Sequence, residues 1–314
     1  MCLQKEMEQL LCNQQSVWET ARNNYSNLSK VKIKTFDFED FQVKVQFNPA
    51  RIVSSGAKTD TKSIAERKCF LCSDNRPAVQ EGITQGDYTV LINPFPIFNK
   101  HFTIPFTRHI PQHITWQNDR GEMPYFYDFA KFAESMPDYV VFYNGPRCGA
   151  SAPDHFHFQA GNADFLPLTS DYFRLKEMNK TTIIKQENNW IIRKPNNYLR
   201  TVYCIESNSI DGLYQGFCTI FDKSKANNNY LCEPMMNLVC KYQEGKLHLF
   251  VIPRKAFRPW QYTAESDKAL LISPATVEMS GLFITPIEAH FDRITKDDVI
   301  DIFNQTSSEN LIWK

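Results

Sequence analysis

One stretch restricts the fold more than any other: Asp154-His155-Phe156-His157-Phe158-Gln159. Successive side chains of a β-strand point to opposite faces. A strand over 155–160 therefore sets His155, His157 and Gln159 on one face and Phe156 and Phe158 on the other. The phenylalanines require a core beneath them. The imidazoles and the carboxamide then stand in a row on a support fixed by aromatic packing, placed to bind or react with something. Immediately before lies Asn144-Gly145-Pro146-Arg147-Cys148-Gly149-Ala150-Ser151. A loop of small residues lets backbone N–H groups approach an anion closely, and Ser and Asn add side-chain donors. Phosphate is the natural ligand.

The rest of the chain is able to supply that core. Its 314 residues suit one large domain or two packed halves. Abundant aromatics and an even balance of 35 Lys+Arg against 35 Asp+Glu argue against disorder. The same balance argues against nucleic-acid binding by phosphate neutralisation, which needs a basic surplus. No apolar run approaches the roughly 20 residues of a membrane span. The first 25 residues read as an amphipathic helix rather than an export signal, so a cytoplasmic location with reduced thiols is expected. Nine cysteines, an odd number, fit no closed disulfide framework.

Strand-like patterning covers 31–47, 87–93, 101–105 and 139–143. A helix is expected in the second part of 111–136, where Tyr125, Phe129, Phe132 and Ala133 share a face. The second half repeats this grammar. Strands at 236–242 and 247–253 flank a Glu244-Gly245 turn and end in Pro253-Arg254, as 101–105 ends in Pro105 with Arg108 and His109 behind it. The repeat is weak and points to a duplication. The stretch 169–197, of mixed composition, reads as a connector.

Cys69-Phe70-Leu71-Cys72 offers half a zinc site, a redox pair or two buried thiols. Phe-Leu between the cysteines does not suit redox chemistry. Zinc needs two more ligands, and with no second C-x-x-C the candidates are His101, His109, His113 and His155. His109, fixed just past a strand end, is favoured. His101, His113, His248 and His290 otherwise lack a partner pattern and read as structural or surface residues, and Cys148 reads as packing.

Together the C-x-x-C, the Pro105-to-His109 spacing, and Ser151 followed by His155-Phe156-His157-Phe158-Gln159 resemble the histidine-triad superfamily. Within it, the resemblance is to the branch holding galactose-1-phosphate uridylyltransferases, diadenosine tetraphosphate phosphorylases and GDP-L-galactose phosphorylases. It covers 69–161 well and 236–286 more faintly. Phe156 stands where the uridylyltransferases usually have proline.

The resemblance implies an α+β fold of antiparallel sheet with packed helices, in two histidine-triad-like halves, 1–168 and 169–314. It implies a nucleotidyltransferase or nucleotide phosphorylase, with His157 as the nucleophile forming a nucleotidyl-histidine and Gln159 and Ser151 assisting. Asn93, Phe95, Asn144, Gly149, Arg147 and Arg254 become the substrate-binding candidates. His155 would join Cys69, Cys72 and His109 around a structural zinc. The expected partners are a nucleotide and a phosphate or sugar phosphate, with no nucleic acid and no membrane. A hydrolase using the same intermediate and a non-catalytic, zinc-stabilised nucleotide-binding protein are the competing readings.

Overall fold

The structure, a computed structural model, describes residues 2–118, 120–226, 233–265, 267–309 and 311. The expected N-terminal helix breaks at Trp18 into α1 (Leu3–Val17) and α2 (Glu19–Asn27). Leu3, Met7, Leu10 and Leu11 form the buried stripe of α1, the spacing of a helix packed on one side. A hairpin follows, β1 (Lys32–Asp37) and β2 (Gln42–Phe47), then the short helices α3 (Ile52–Ser55) and α4 (Thr61–Glu66). Asp60 caps α4 by accepting from Ser63 N at 3.0 Å.

The main sheet is built from two runs of the same element order. The first is β3 (Gly82–Gln85), β4 (Tyr88–Ile92), β5 (His101–Pro105), α5 (Pro124–Ser135), β6 (Tyr139–Asn144) and β7 (His157–Asn162). After α6 (Pro167–Glu177) comes the second: β8 (Thr181–Gln186), β9 (Trp190–Pro195), β10 (Tyr203–Ser207), α7 (Ile210–Ala226), β11 (Met236–Gln243) and β12 (Lys246–Pro253). The spatial order β3-β4-β5-β7-β6-β11-β12-β10-β9-β8 is symmetric about the β6–β11 seam, and every neighbouring pair is antiparallel. The stretch 169–197 is therefore no connector. Most of it forms α6, β8 and β9, because the second half needs its own outer strands. The chain closes with α8 (Thr276–Met279), β13 (Leu282–Thr285), α9 (Glu288–Arg293) and α10 (Lys296–Thr306), and β13 joins β2 in parallel to make a three-stranded second sheet.

Each face of the large sheet has its own core. On one, Phe156, Phe158 and Ala160 pack with Phe126, Phe129 and Phe132 of α5, Phe217 of α7 and the α1–α2 pair. On the other, Phe142, Val239 and Phe250 meet Val43 and Val45 of β2, Phe283 of β13 and Phe303 of α10. Strand alternation thus delivers the expected aromatic support, with Phe156 and Phe158 wholly buried. The fold is α+β, antiparallel sheet flanked by helices. Among the described residues no helix is long and apolar enough to cross a membrane.

Candidate active site

The β7 strand begins at His157, not at 155. His155 lies in the preceding turn, where its N–H donates to Ala152 O at 3.1 Å, so the three polar side chains do not form one row on the strand. The His155 ring instead faces the cysteines, with Nδ1 3.3 Å from Cys69 Sγ and 3.5 Å from Cys72 Sγ. His109 Nδ1 stands 3.2 Å from Cys72 Sγ. The four donor atoms of Cys69, Cys72, His109 and His155 all lie within 4.8 Å of one another, and the cluster is capable of holding a metal ion.

The outer imidazole nitrogens have partners too. His155 Nε2 lies 2.7 Å from Phe106 O, and His109 Nε2 lies 3.8 Å from Asp154 Oδ2. Such contacts fix ring orientation at metal sites. Arg67 bridges Asp154 Oδ1 (2.6 Å) and Ser151 O (3.2 Å), tying the cluster to the loop beside it. Burial pushes the Cys69 thiol up to about 11.

His157 and Gln159 share the second face of the sheet. The β6–β7 register pairs Phe142 with Gln159, and its continuation sets Asn144 opposite His157. Asn144 in turn pairs with Asn237 on β11. His157 Nδ1 is 2.8 Å from the His155 carbonyl, which accepts only from a protonated nitrogen, so the lone pair resides on Nε2. Burial depresses the imidazole pKa to about 4, which keeps the ring neutral near pH 7.

The carboxamides are oriented from behind. Asn144 Oδ1 accepts from Asn237 Nδ2 (3.1 Å), Thr276 N (2.8 Å) and Thr276 Oγ1 (2.7 Å). Gln159 Oε1 lies 3.0 Å from His101 Nε2. Asn144 Nδ2, Gln159 Nε2, His157 Nε2 and the Ser151 hydroxyl find no partner among the described residues.

The loop 145–151 is anchored at three points. Gly145 N donates to Met236 O, Asn237 Nδ2 to Cys148 O and Arg67 to Ser151 O. Gly149 has φ +96°, and a Cβ there would meet Ala275 Cβ at 2.3 Å. Only glycine allows this backbone to approach the 274–276 segment so closely. The N–H groups of Gly149, Ala150 and Ser151 find no partner among the described residues.

The other candidates lie at different distances from this chemistry. Asn93 Oδ1 accepts from Phe95 N at 3.0 Å and Asn93 Nδ2 donates to Thr103 Oγ1 at 3.3 Å, so these residues shape the turn beyond β4. Arg147 is exposed on the loop. Arg254 differs from expectation. It is 1% exposed, and its guanidinium bonds Thr306 O, Asn237 Oδ1, Pro274 O, Ala256 O and Phe257 O. All its donors are used inside the protein, where they hold Asn237 and thus Asn144.

Three contributors escape sequence reasoning. Gln112 binds the His157 peptide from a loop that carries no motif. Arg51, just after β2, donates to Phe95 O at 2.7 Å and bears on the charge of His101. His101 itself is completely buried and is partnered to Gln159 rather than lacking a pattern. The Asn48-Pro49-Ala50-Arg51 turn after a strand is the one signal that would have drawn attention to Arg51.

Known proteins resemble this chain in sequence and in fold. The family described as a domain of unknown function (DUF4922) matches residues 10–162, which end with β7. The galactose-1-phosphate uridylyltransferase of Lactococcus lactis subsp. lactis (strain IL1403) is 25% identical over 224 residues, 68% of this chain. The chain spans 41% of that relative's length. The enzyme of the same name from L. lactis subsp. cremoris (strain SK11) is 27% identical over 124 residues, covering 37% of this chain and 24% of the relative. Yeast Ap4A phosphorylase Apa2 in complex with AMP superposes with a TM-score of 0.60 at 14% identity, over 96% of this chain and 95% of that one. Its complex with Ap4A gives a TM-score of 0.56 at 13% identity, over 92% and 96%. The fold, with its two mirrored strand sets, is therefore shared with Apa2.

Proposed function

We propose that this chain is a nucleotidyltransferase or nucleotide phosphorylase that works through a nucleotidyl group on His157. The observation that carries the proposal is a set of neighbouring groups on one face of the sheet whose remaining hydrogen-bonding atoms have no partner among the described residues. A neutral imidazole with its lone pair on Nε2 stands beside two carboxamides whose oxygens are already taken. His157 Nε2 attacks the α-phosphorus of a nucleoside diphosphate-sugar or dinucleoside polyphosphate, the P–O bond to the leaving phosphate breaks, and a P–N bond forms. Inorganic phosphate or a sugar 1-phosphate then attacks the same phosphorus and releases the imidazole. Two displacements replace one difficult exchange.

Negative charge spreads over the phosphoryl oxygens in each transition state, so fixed donors are the main requirement. Gln159, Asn144, Ser151 and the N–H groups of 149–151 supply them. Asn93 and Phe95 are assigned the base and ribose, Arg51 and Arg147 fixed or mobile positive charge, and Arg254 the support of Asn237. Zinc suits the Cys69, Cys72, His109, His155 set. With four protein ligands it would leave no open position and act as a clamp on the turn before His157.

The test is covalent trapping. With α-phosphate-labelled nucleoside diphosphate-sugars or dinucleoside polyphosphates, the protein acquires an acid-labile, base-stable label that maps to His157. Inorganic phosphate or a sugar 1-phosphate discharges it. No label from either substrate class, or label persisting in His157→Gly, overturns the proposal; discharge by water alone makes the protein a hydrolase.

A further inference from the structure

The hydrogen bonds on either side of His101 run in a direction that the chain itself dictates. Ile97 N–H donates to His101 Nδ1 at 3.2 Å. A backbone amide only donates, so Nδ1 carries a lone pair and the proton of the neutral ring is on Nε2. The atom 3.0 Å from Nε2 must then be an acceptor, which makes it the oxygen of the Gln159 carboxamide. The Gln159 amino group consequently faces away from His101. The ring has no freedom to change this arrangement. It is 0% exposed, edge-on to Phe98 at 5.0 Å between centroids and 6.2 Å from Phe142. Burial, with the charge of Arg51, holds its pKa down to about 3, so it stays neutral.

We propose that His101 is a positioning residue that selects the Gln159 rotamer presenting two N–H donors to the phosphoryl group. The consequence for catalysis rests on the nucleotidyl-transfer reading; the direction of the hydrogen bonds does not. An unrestrained carboxamide has two orientations of similar shape, and the flipped one turns oxygen toward phosphoryl oxygen. The relay Ile97–His101–Gln159 removes that second state. It also links the turn bearing Asn93 and Phe95 to the phosphate pocket, because Ile97 belongs to the same turn.

Two measurements test this. Nitrogen NMR of histidine-labelled wild-type protein at pH 7 shows His101 protonated at Nε2 and bare at Nδ1; the opposite tautomer overturns the proposal whether or not the protein transfers nucleotides. In transfer assays, His101→Phe, which keeps a packed ring, lowers kcat at least tenfold and moves KM less. His101→Gln, whose amide nitrogen reaches toward the same oxygen, recovers most of the loss. His101→Phe adds nothing once Gln159→Ala is present. Additive losses, or no recovery by His101→Gln, overturn the proposal. A wild-type protein with no transfer activity sinks the functional reading alone, and the tautomer still decides the orientation.

Discussion

Gln112 is joined to the peptide of His157 by two hydrogen bonds: its Oε1 accepts from His157 N at 2.8 Å and its Nε2 donates to His157 O at 2.9 Å. The same Nε2 donates to Asn144 O at 3.0 Å. A buried carboxamide thus stands in for the ladder at the point where β6 and β7 separate. Gln112→Leu would leave three buried backbone groups unpaired. An unsatisfied buried group costs about 1–3 kcal/mol, so the unfolding free energy in urea is expected to fall by about 3 kcal/mol. Transfer should fall further than stability alone accounts for, because the His157 backbone is no longer held. Unchanged stability and rate would remove Gln112 from this role.

Gly149→Ala tests the loop without touching a reacting group. The added methyl group would lie 2.3 Å from Ala275 Cβ and 2.6 Å from Ala275 Cα, at a φ that side chains resist. Strain of about 1–3 kcal/mol is expected, and the loop must shift away from the 274–276 segment. The expected outcome is weaker nucleotide binding in titration calorimetry with the far-ultraviolet circular dichroism unchanged.

The alternation of Phe156, His157, Phe158 and Gln159 made β7 and its buried face legible, because period-two patterning is a local signal. The mirrored halves were legible as a faint repeat for the same reason. Position 155 was not, since nothing local marks that the strand starts only at His157, after a turn that faces the Cys69, Cys72 and His109 side chains. His101 and Gln112 act through contacts 58 and 45 residues away along the chain. No motif encodes such contacts. Arg254 was legible in its location and not in its role, since its place after β12 says nothing of the carbonyls that converge on it from 256, 257, 274 and 306.

Glu233 gives the stability a pH dependence of known sign. Its buried carboxyl accepts from Tyr143 Oη at 2.9 Å and from Thr115 Oγ1 at 3.1 Å, yet burial outweighs these donors and raises its pKa to about 7. The folded state therefore holds this proton more tightly than the unfolded chain. The stabilisation is fully present below the unfolded pKa near 4.5 and is lost as pH rises through 7. At 1.36 kcal/mol per pKa unit, the wild type should lose about 3 kcal/mol more than Glu233→Gln between pH 5 and pH 8. Urea melts of both proteins at the two pH values measure the difference. Parallel pH profiles would show that Glu233 does not titrate there.

The Cys69, Cys72, His109, His155 cluster predicts one zinc per chain in protein purified without chelator, measured by elemental analysis. Metal that binds only the folded chain stabilises it by mass action, about 4 kcal/mol when free metal stands a thousandfold above its dissociation constant. Chelation should lower the unfolding free energy by that order, and Cys69→Ser should abolish both the metal and the chelator effect. The loss should also travel. Arg67 connects Asp154, beside His109, to the Ser151 carbonyl. Hydrogen exchange in 148–156 should therefore accelerate on chelation more than in the distant strands β8 and β9. Zinc retained by Cys69→Ser would reject the ligand set, and uniform exchange across the chain would reject the link between the cluster and the loop.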